Sequence, residues 1–139
     1  MIVLDTNVIS ELAKLDVDPR VERWFRAQPV SVLYLCDIVV MEQAYGGQRF
    51  FLKTGSERYS RNLTDILQRY KDRVLPLTRG AAIHCGKLRA ERESIGRPIG
   101  VQDAMIAAIC IFHGAALATR NVKDFEGLDL RLVNPFEGA

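Results

Sequence analysis

Residues 2–9 read Ile-Val-Leu-Asp-Thr-Asn-Val-Ile, and the junction inside them decides the fold. Ile2-Val3-Leu4 is a short apolar run that stops at Asp5-Thr6-Asn7. It reads as a buried strand feeding a helix N-terminus. Val8, Ile9, Leu12 and Leu15 then recur at helical spacing, and Asp18-Pro19 restarts a helix with an apolar stripe of Val21, Trp24 and Phe25. The same alternation repeats outward from this junction. Val30–Cys36 is rich in β-branched and aromatic residues and predicts a second strand, with Asp37 capping the helix that follows. That helix runs through Val40, Met41, Ala44 and Tyr45, is weakened by Gly46-Gly47, and resumes at Phe50-Phe51-Leu52. Thr54-Gly55-Ser56 breaks it, and Tyr59, Leu63, Ile66, Leu67 and Tyr70 line the next helix. Val74–Leu77 predicts a third strand ending near Pro76, followed by a helix over Ala81–Ile95 and a loop over Gly96–Gly100. Val101–His113 is a strongly apolar helix closed by Gly114. Ala115–Thr119 is strand four, and Leu130–Val133 is the candidate fifth. Strands alternating with helices define an α/β class with a central, mostly parallel sheet of four or five strands flanked by helices.

The 139 residues, 48% of them apolar and 26% charged, predict one domain spanning 1–139 with a single core. No apolar run approaches the ~20 residues of a membrane span, and the N-terminus has no basic region of a signal peptide. Cys36, Cys85 and Cys110 are odd in number and lack C-x-x-C spacing, so they read as buried, reduced thiols in a cytoplasmic protein. The net charge of +2 conceals an asymmetry: residues 49–97 hold 12 Lys/Arg against 5 Asp/Glu, while the rest of the chain is acidic. Gly-rich phosphate loops of the G-x-x-x-x-G-K and G-x-G-x-x-G kinds are missing, which removes the common nucleotide-binding folds. G-x-S-x-G is missing too, and neither His84 nor His113 sits in a nucleophile triad context.

Parallel α/β sheets bind ligands at the carboxyl ends of their strands. Asp5 arrives there after the first strand, Glu42 in the first turns after the second, and Asp103 in the first turn of the helix leading to the fourth. Thr119, Arg120, Asn121 and Asp124 follow that fourth strand. Each has a structural alternative. Asp5 also suits a helix N-cap, Glu42 an exposed helical face, Asp103 a helix N-terminal dipole, and Asn121 and Asp124 a turn. Taken together, several carboxylates in one cleft repel one another unless a divalent cation neutralises them. Oxygen-only ligands favour Mg²⁺ or Mn²⁺ over Zn²⁺. An acidic metal site in a chain with a basic stretch points to phosphodiester chemistry.

Four blocks then match one family in order and spacing. Ile2–Ser10 (IVLDTNVIS) resembles the opening of PIN-domain proteins. Val40–Gly46 (VMEQAYG), Val101–Ala108 (VQDAMIAA) and Leu117–Phe125 (LATRNVKDF) resemble the later blocks, and the ending Val133-Asn134-Pro135-Phe136 is also similar. The chain most resembles the VapC and FitB toxins of bacterial type II toxin–antitoxin pairs. The resemblance implies a PIN-like three-layer fold and a Mg²⁺-dependent endoribonuclease, with Asp5, Glu42 and Asp103 at the three main acidic positions. The fourth acidic position falls on Asn121, a departure, with Asp124 three residues on as its replacement. Thr6 and Thr119 match hydroxyls that orient carboxylates or waters. Arg79, Arg89, Arg92 and Arg97 are candidates to track RNA phosphates, and Tyr45 or Phe51 to stack on bases. The resemblance also implies a homodimer and a cognate antitoxin that inserts an arginine among the carboxylates. Operator DNA would be bound only through that antitoxin. The alternative is a largely non-catalytic partner that tunes its antitoxin's grip on DNA, which Asn121 would favour. A HAD-like phosphatase fits poorly, because Asp5-Thr6-Asn7 lacks the second aspartate of that chemistry.

Overall fold

Ile2–Leu4 forms β1, the middle strand of a five-stranded sheet in a computed structural model that describes residues 1–137. Leu33–Cys36 (β2) and Val74–Leu75 (β3) lie on one side of it, with Ala116–Ala118 (β4) and Leu132–Val133 (β5) on the other. The strand order is β3-β2-β1-β4-β5, and all four pairings are parallel. The expectation of four or five strands thus resolves to five. Val3, Leu4, Leu35, Leu117 and Ala118 are all essentially inaccessible. Neighbouring residues of one strand point to opposite faces, so both faces are covered, as parallel sheets require.

Among the described residues, seven α-helices provide the cover: α1 (Thr6–Leu12), α2 (Pro19–Ala27), α3 (Asp37–Thr54), α4 (Arg58–Arg69), α5 (Arg79–Ser94), α6 (Val101–His113) and α7 (Val122–Phe125). The best buried is α6, whose Ala104 and Ile106–Cys110 are shielded from water. Its small residues let it lie close to the sheet. Both α3 and α6 end on a glycine in the left-handed region, Gly55 (φ 77°) and Gly114 (φ 70°), which closes the helix without a Cβ clash.

Three local expectations change. The second strand begins at Leu33, not Val30, and Val30–Val32 forms a 3₁₀ turn after Pro29. The reason lies in the register: Leu33 pairs with Ile2, where β1 starts, so earlier residues face no partner strand. Cys36 takes the N-cap position of α3, and Asp37 becomes its first helical residue. The Gly46-Gly47 pair does not interrupt α3.

The two glycines differ in their surroundings. A Cβ on Gly47 would stand 3.0 Å from Ser60 Oγ and 3.2 Å from Ser60 N, so Gly47 lets α4 approach the α3 backbone. A Cβ on Gly46 would meet nothing within 4 Å. Gly46→Ala is therefore expected to stabilise the protein by about 1 kcal/mol, the helix-propensity difference, and Gly47→Ala to give no such gain. Thermal denaturation of the two variants checks this.

Candidate active site

The C-terminal edge of the sheet places Asp5 immediately after β1 and Thr119 immediately after β4. Strand pairing sets their separation, because Asp5 N donates to the Ala118 carbonyl at 2.9 Å. The two carboxylate oxygens of Asp5 meet separate donors. As the N-cap of α1 its Oδ1 accepts from Thr6 N at 2.8 Å. Its Oδ2 accepts from Thr119 Oγ1 at 2.8 Å and from Asn7 Nδ2 at 3.4 Å. Asp5 is only 5% exposed. Burial raises its pKa, the hydrogen bonds from Thr119, Thr6 and Asn7 pull it back, and the charge of Asp124 adds to the rise.

Thr119 is fully buried and carries more than its bond to Asp5. Its hydroxyl accepts from Asn7 Nδ2 at 3.2 Å and from Asn121 N at 3.0 Å. Asn7 Oδ1 in turn accepts from Arg120 N at 3.0 Å. Asn7 thus ties the start of α1 to the turn after β4. Its role was not assigned from sequence, although it stands in the quoted Asp-Thr-Asn run. A satisfied Asn between two strand ends is visible only once those ends are adjacent.

Half-buried Glu42 sits in the second turn of α3, where its Oε1 accepts a short hydrogen bond from Thr6 Oγ1. Thr6 and Thr119 therefore hold one carboxylate each, Glu42 and Asp5. Asp103 lies in the first turn of α6, and its pKa is pushed up to about 6. Burial is the main cause, followed by the charges of Asp5, Asp124 and Glu42. These couplings show that the acidic side chains share one edge of the fold. Among the described residues, no ion pair neutralises Asp5, Glu42, Asp103 or Asp124.

The expected tight convergence is looser than the sequence implied. No three Asp, Glu, His or Cys side chains of the described residues close around a single point. The donor set still fits a hydrated divalent cation, because Mg²⁺ keeps several waters and takes one or two direct carboxylates. Asn121 is exposed, at the N-cap position of α7 but without a side-chain capping bond. Asp124, one turn later, supplies the negative charge felt by both Asp5 and Asp103.

The arginines separate into different roles. Arg92 is 7% exposed; its Nε donates to the Arg97 carbonyl at 2.7 Å and its Nη1 to the Glu126 carbonyl at 3.2 Å. It clamps the α5–α6 loop to the chain after α7 and has little left for phosphate. Arg92→Ala is expected to cost about 2 kcal/mol in chemical denaturation, and Arg92→Lys not to restore it, since one ammonium cannot span both carbonyls. Arg97 is exposed and shares a polar cavity of about 360 Å³ with Asp103, Asp124 and Lys123, a cation not singled out from sequence. Arg79 starts α5, roughly 20 Å along the helix from Arg92, at the end where Gly80 lies against Phe112. Arg89 is half-buried, 3.8 Å from Glu93, and its Nε finds no partner. The structure therefore brings Arg92 and Arg97 to the acidic edge and leaves Arg79 away from it.

A parallel sheet whose C-terminal edge carries hydroxyl-oriented carboxylates with a basic flank defines a phosphate-processing class of site. The sequence profile of the PIN domain matches residues 2–129, and the chain belongs to the PIN-domain family. Similar proteins include VapC ribonuclease Y4jK of Sinorhizobium fredii, 39% identical with all of both chains covered. Toxin FitB of Neisseria gonorrhoeae is 31% identical, over 98% of this chain and 99% of its own. A solved structure of FitAB bound to an IR36 DNA fragment superposes with a TM-score of 0.88 at 31% identity, covering 98% of this chain and 96% of that one. Among the described residues, no helix is long and apolar enough to cross a membrane.

Proposed function

We propose that the chain is a single PIN domain acting as a Mg²⁺-dependent endoribonuclease, the toxin of a toxin–antitoxin pair. The observation that carries this reading is the un-neutralised acidic edge, with Asp103 held near a pKa of 6 by burial and by Asp5, Asp124 and Glu42. The likeness to a VapC ribonuclease and to toxin FitB supports the same reading. Asp5, Asp103 and Asp124 would hold the cation, with Glu42 and Asn121 as the further oxygen donors of this edge. When bound, a divalent cation polarises the scissile phosphate and lowers the pKa of a coordinated water. Thr119 and Asn7 keep Oδ2 of Asp5 oriented, and Thr6 orients Glu42. Glu42 would accept a proton from the attacking water as the water oxygen bonds to phosphorus, and the ribose oxygen would leave with a proton drawn from solvent. Arg97 and Lys123 hold the neighbouring phosphate.

An antitoxin arginine among these carboxylates would displace the cation by simple charge competition. DNA contact would then come through the antitoxin, consistent with the FitAB–DNA structure. A homodimer, which the family resemblance implies, would place two such clefts in one assembly. RNA incubated with the purified protein is expected to be cut in Mg²⁺, not in EDTA, and cut again on Mg²⁺ readdition. Unchanged cleavage in EDTA would overturn the metal-dependent reading, and RNA left intact in Mg²⁺ would return weight to the non-catalytic alternative.

A further inference from the structure

The paired glycines of α3 have no part in the chemistry above, yet they shape a second feature of the cleft. Residues four apart share a helix face, so Glu42, Gly46 and Phe50 stack in one row, with Gln43 and Gly47 beside it. Gly47 draws α4 in at Ser60, and Gly46 leaves open space. The result is a cavity of about 320 Å³ whose lining includes Thr6, Glu42, Phe50 and Tyr59. These two rings meet edge to face at 4.8 Å. Tyr59 is backed by the Arg58 guanidinium at 5.2 Å, itself anchored on the Ala13 carbonyl. Across the cavity, Gln43 Nε2 donates to Ser10 Oγ at 3.1 Å. That bond leaves the Gln43 carbonyl oxygen and the Ser10 hydroxyl hydrogen for another partner.

Resting on the nuclease reading, we propose that this cavity takes the nucleobase of the nucleotide adjoining the scissile phosphate, and so sets sequence preference. A base combines a flat apolar face with a donor–acceptor edge, and the cavity offers aromatic walls facing an amide and a hydroxyl. A phosphate is matched poorly. Glu42 puts a negative charge in its lining, and Lys14, the one cation of that lining among the described residues, is already paired with Glu11 at 2.9 Å. The opposite flank, with Arg97 and Lys123, is the polar one. The cleft therefore has a base side and a backbone side, and single-stranded RNA is held in one direction.

The test is nuclear magnetic resonance titration of the full chain in Mg²⁺ with AMP, GMP, CMP and UMP, with ribose 5-phosphate as the baseless control. The nucleotides are expected to shift Gly46, Gly47, the Gln43 side-chain amide and the Tyr59 ring, and to discriminate among bases, where ribose 5-phosphate does not. Gly46→Leu fills the cavity from an open helical position and is expected to weaken the base-dependent binding about ten-fold. Gln43→Ala is expected to level the preference among the four bases. Base-dependent shifts that are absent, or unchanged in Gly46→Leu, would overturn the proposal, including the case in which only an antitoxin peptide perturbs this cavity. Failure of the nuclease reading shows separately, as RNA left intact by the purified protein in Mg²⁺.

Discussion

Asp103→Asn is expected to lower RNA cleavage on the order of a thousand-fold, and to make the metal-free protein more stable than wild type. Both effects have one origin. The native carboxyl titrates at about 6, well above its ordinary 3.8, because burial and then the charges of Asp5, Asp124 and Glu42 oppose ionisation. Between those two pH values the folded state holds more protons than the unfolded state. The stability of the metal-free wild type therefore falls as pH rises from about 4 to about 6, and remains lower above that. The amide removes this charge. After allowance for solvent screening at a half-buried site the gain is about 1 kcal/mol, or roughly 3 °C in Tm. A bound cation reverses the sign, since it requires the ionised form, so metal affinity and cleavage at limiting Mg²⁺ both decline below about pH 6. Denaturation in EDTA and cleavage in Mg²⁺, each across pH 4–8, test the two halves. A variant that is both less stable in EDTA and fully active would contradict the shared origin.

Thr119→Val comes next in size, and it acts at a distance from the cation. The hydroxyl donates to Asp5 and accepts from Asn7 and Asn121. Valine leaves a buried carboxylate short of its best donor and strands two N–H groups. The expected result is metal binding ten- to a hundred-fold weaker by calorimetry, with about 2 kcal/mol of lost stability. Thr119→Ser keeps the hydroxyl and should retain most of the affinity. Equal losses in both variants would mean that packing of the methyl group, not orientation of Asp5, is what Thr119 provides.

Much of this site was legible before folding was considered. The break from Ile2-Val3-Leu4 to Asp5-Thr6-Asn7 marks a strand end and a helix start together, so Asp5 is located by local rules alone. Asp103 stands out because a carboxylate near the start of an apolar helix is costly to bury. The second strand was overextended because β-branched propensity at Val30–Val32 says nothing of where the partner strand begins. Its place in the basic stretch makes Arg92 a candidate phosphate contact. Burial against two carbonyls gives it another task. Lys123 went unremarked because its proximity to Arg97 and Asp103 spans chain segments far apart in sequence.

The amino-acid order by itself determined the alternation of strands and helices, the parallel class and the identity of the acidic residues. Each of these depends on short-range patterns of polarity and capping. The tertiary structure alone decided which hydroxyl holds which carboxylate and which cations reach the cleft, and what the glycine pair leaves open. Those relations are set by strand register and helix packing between distant segments, where distance along the chain carries no information about distance in space.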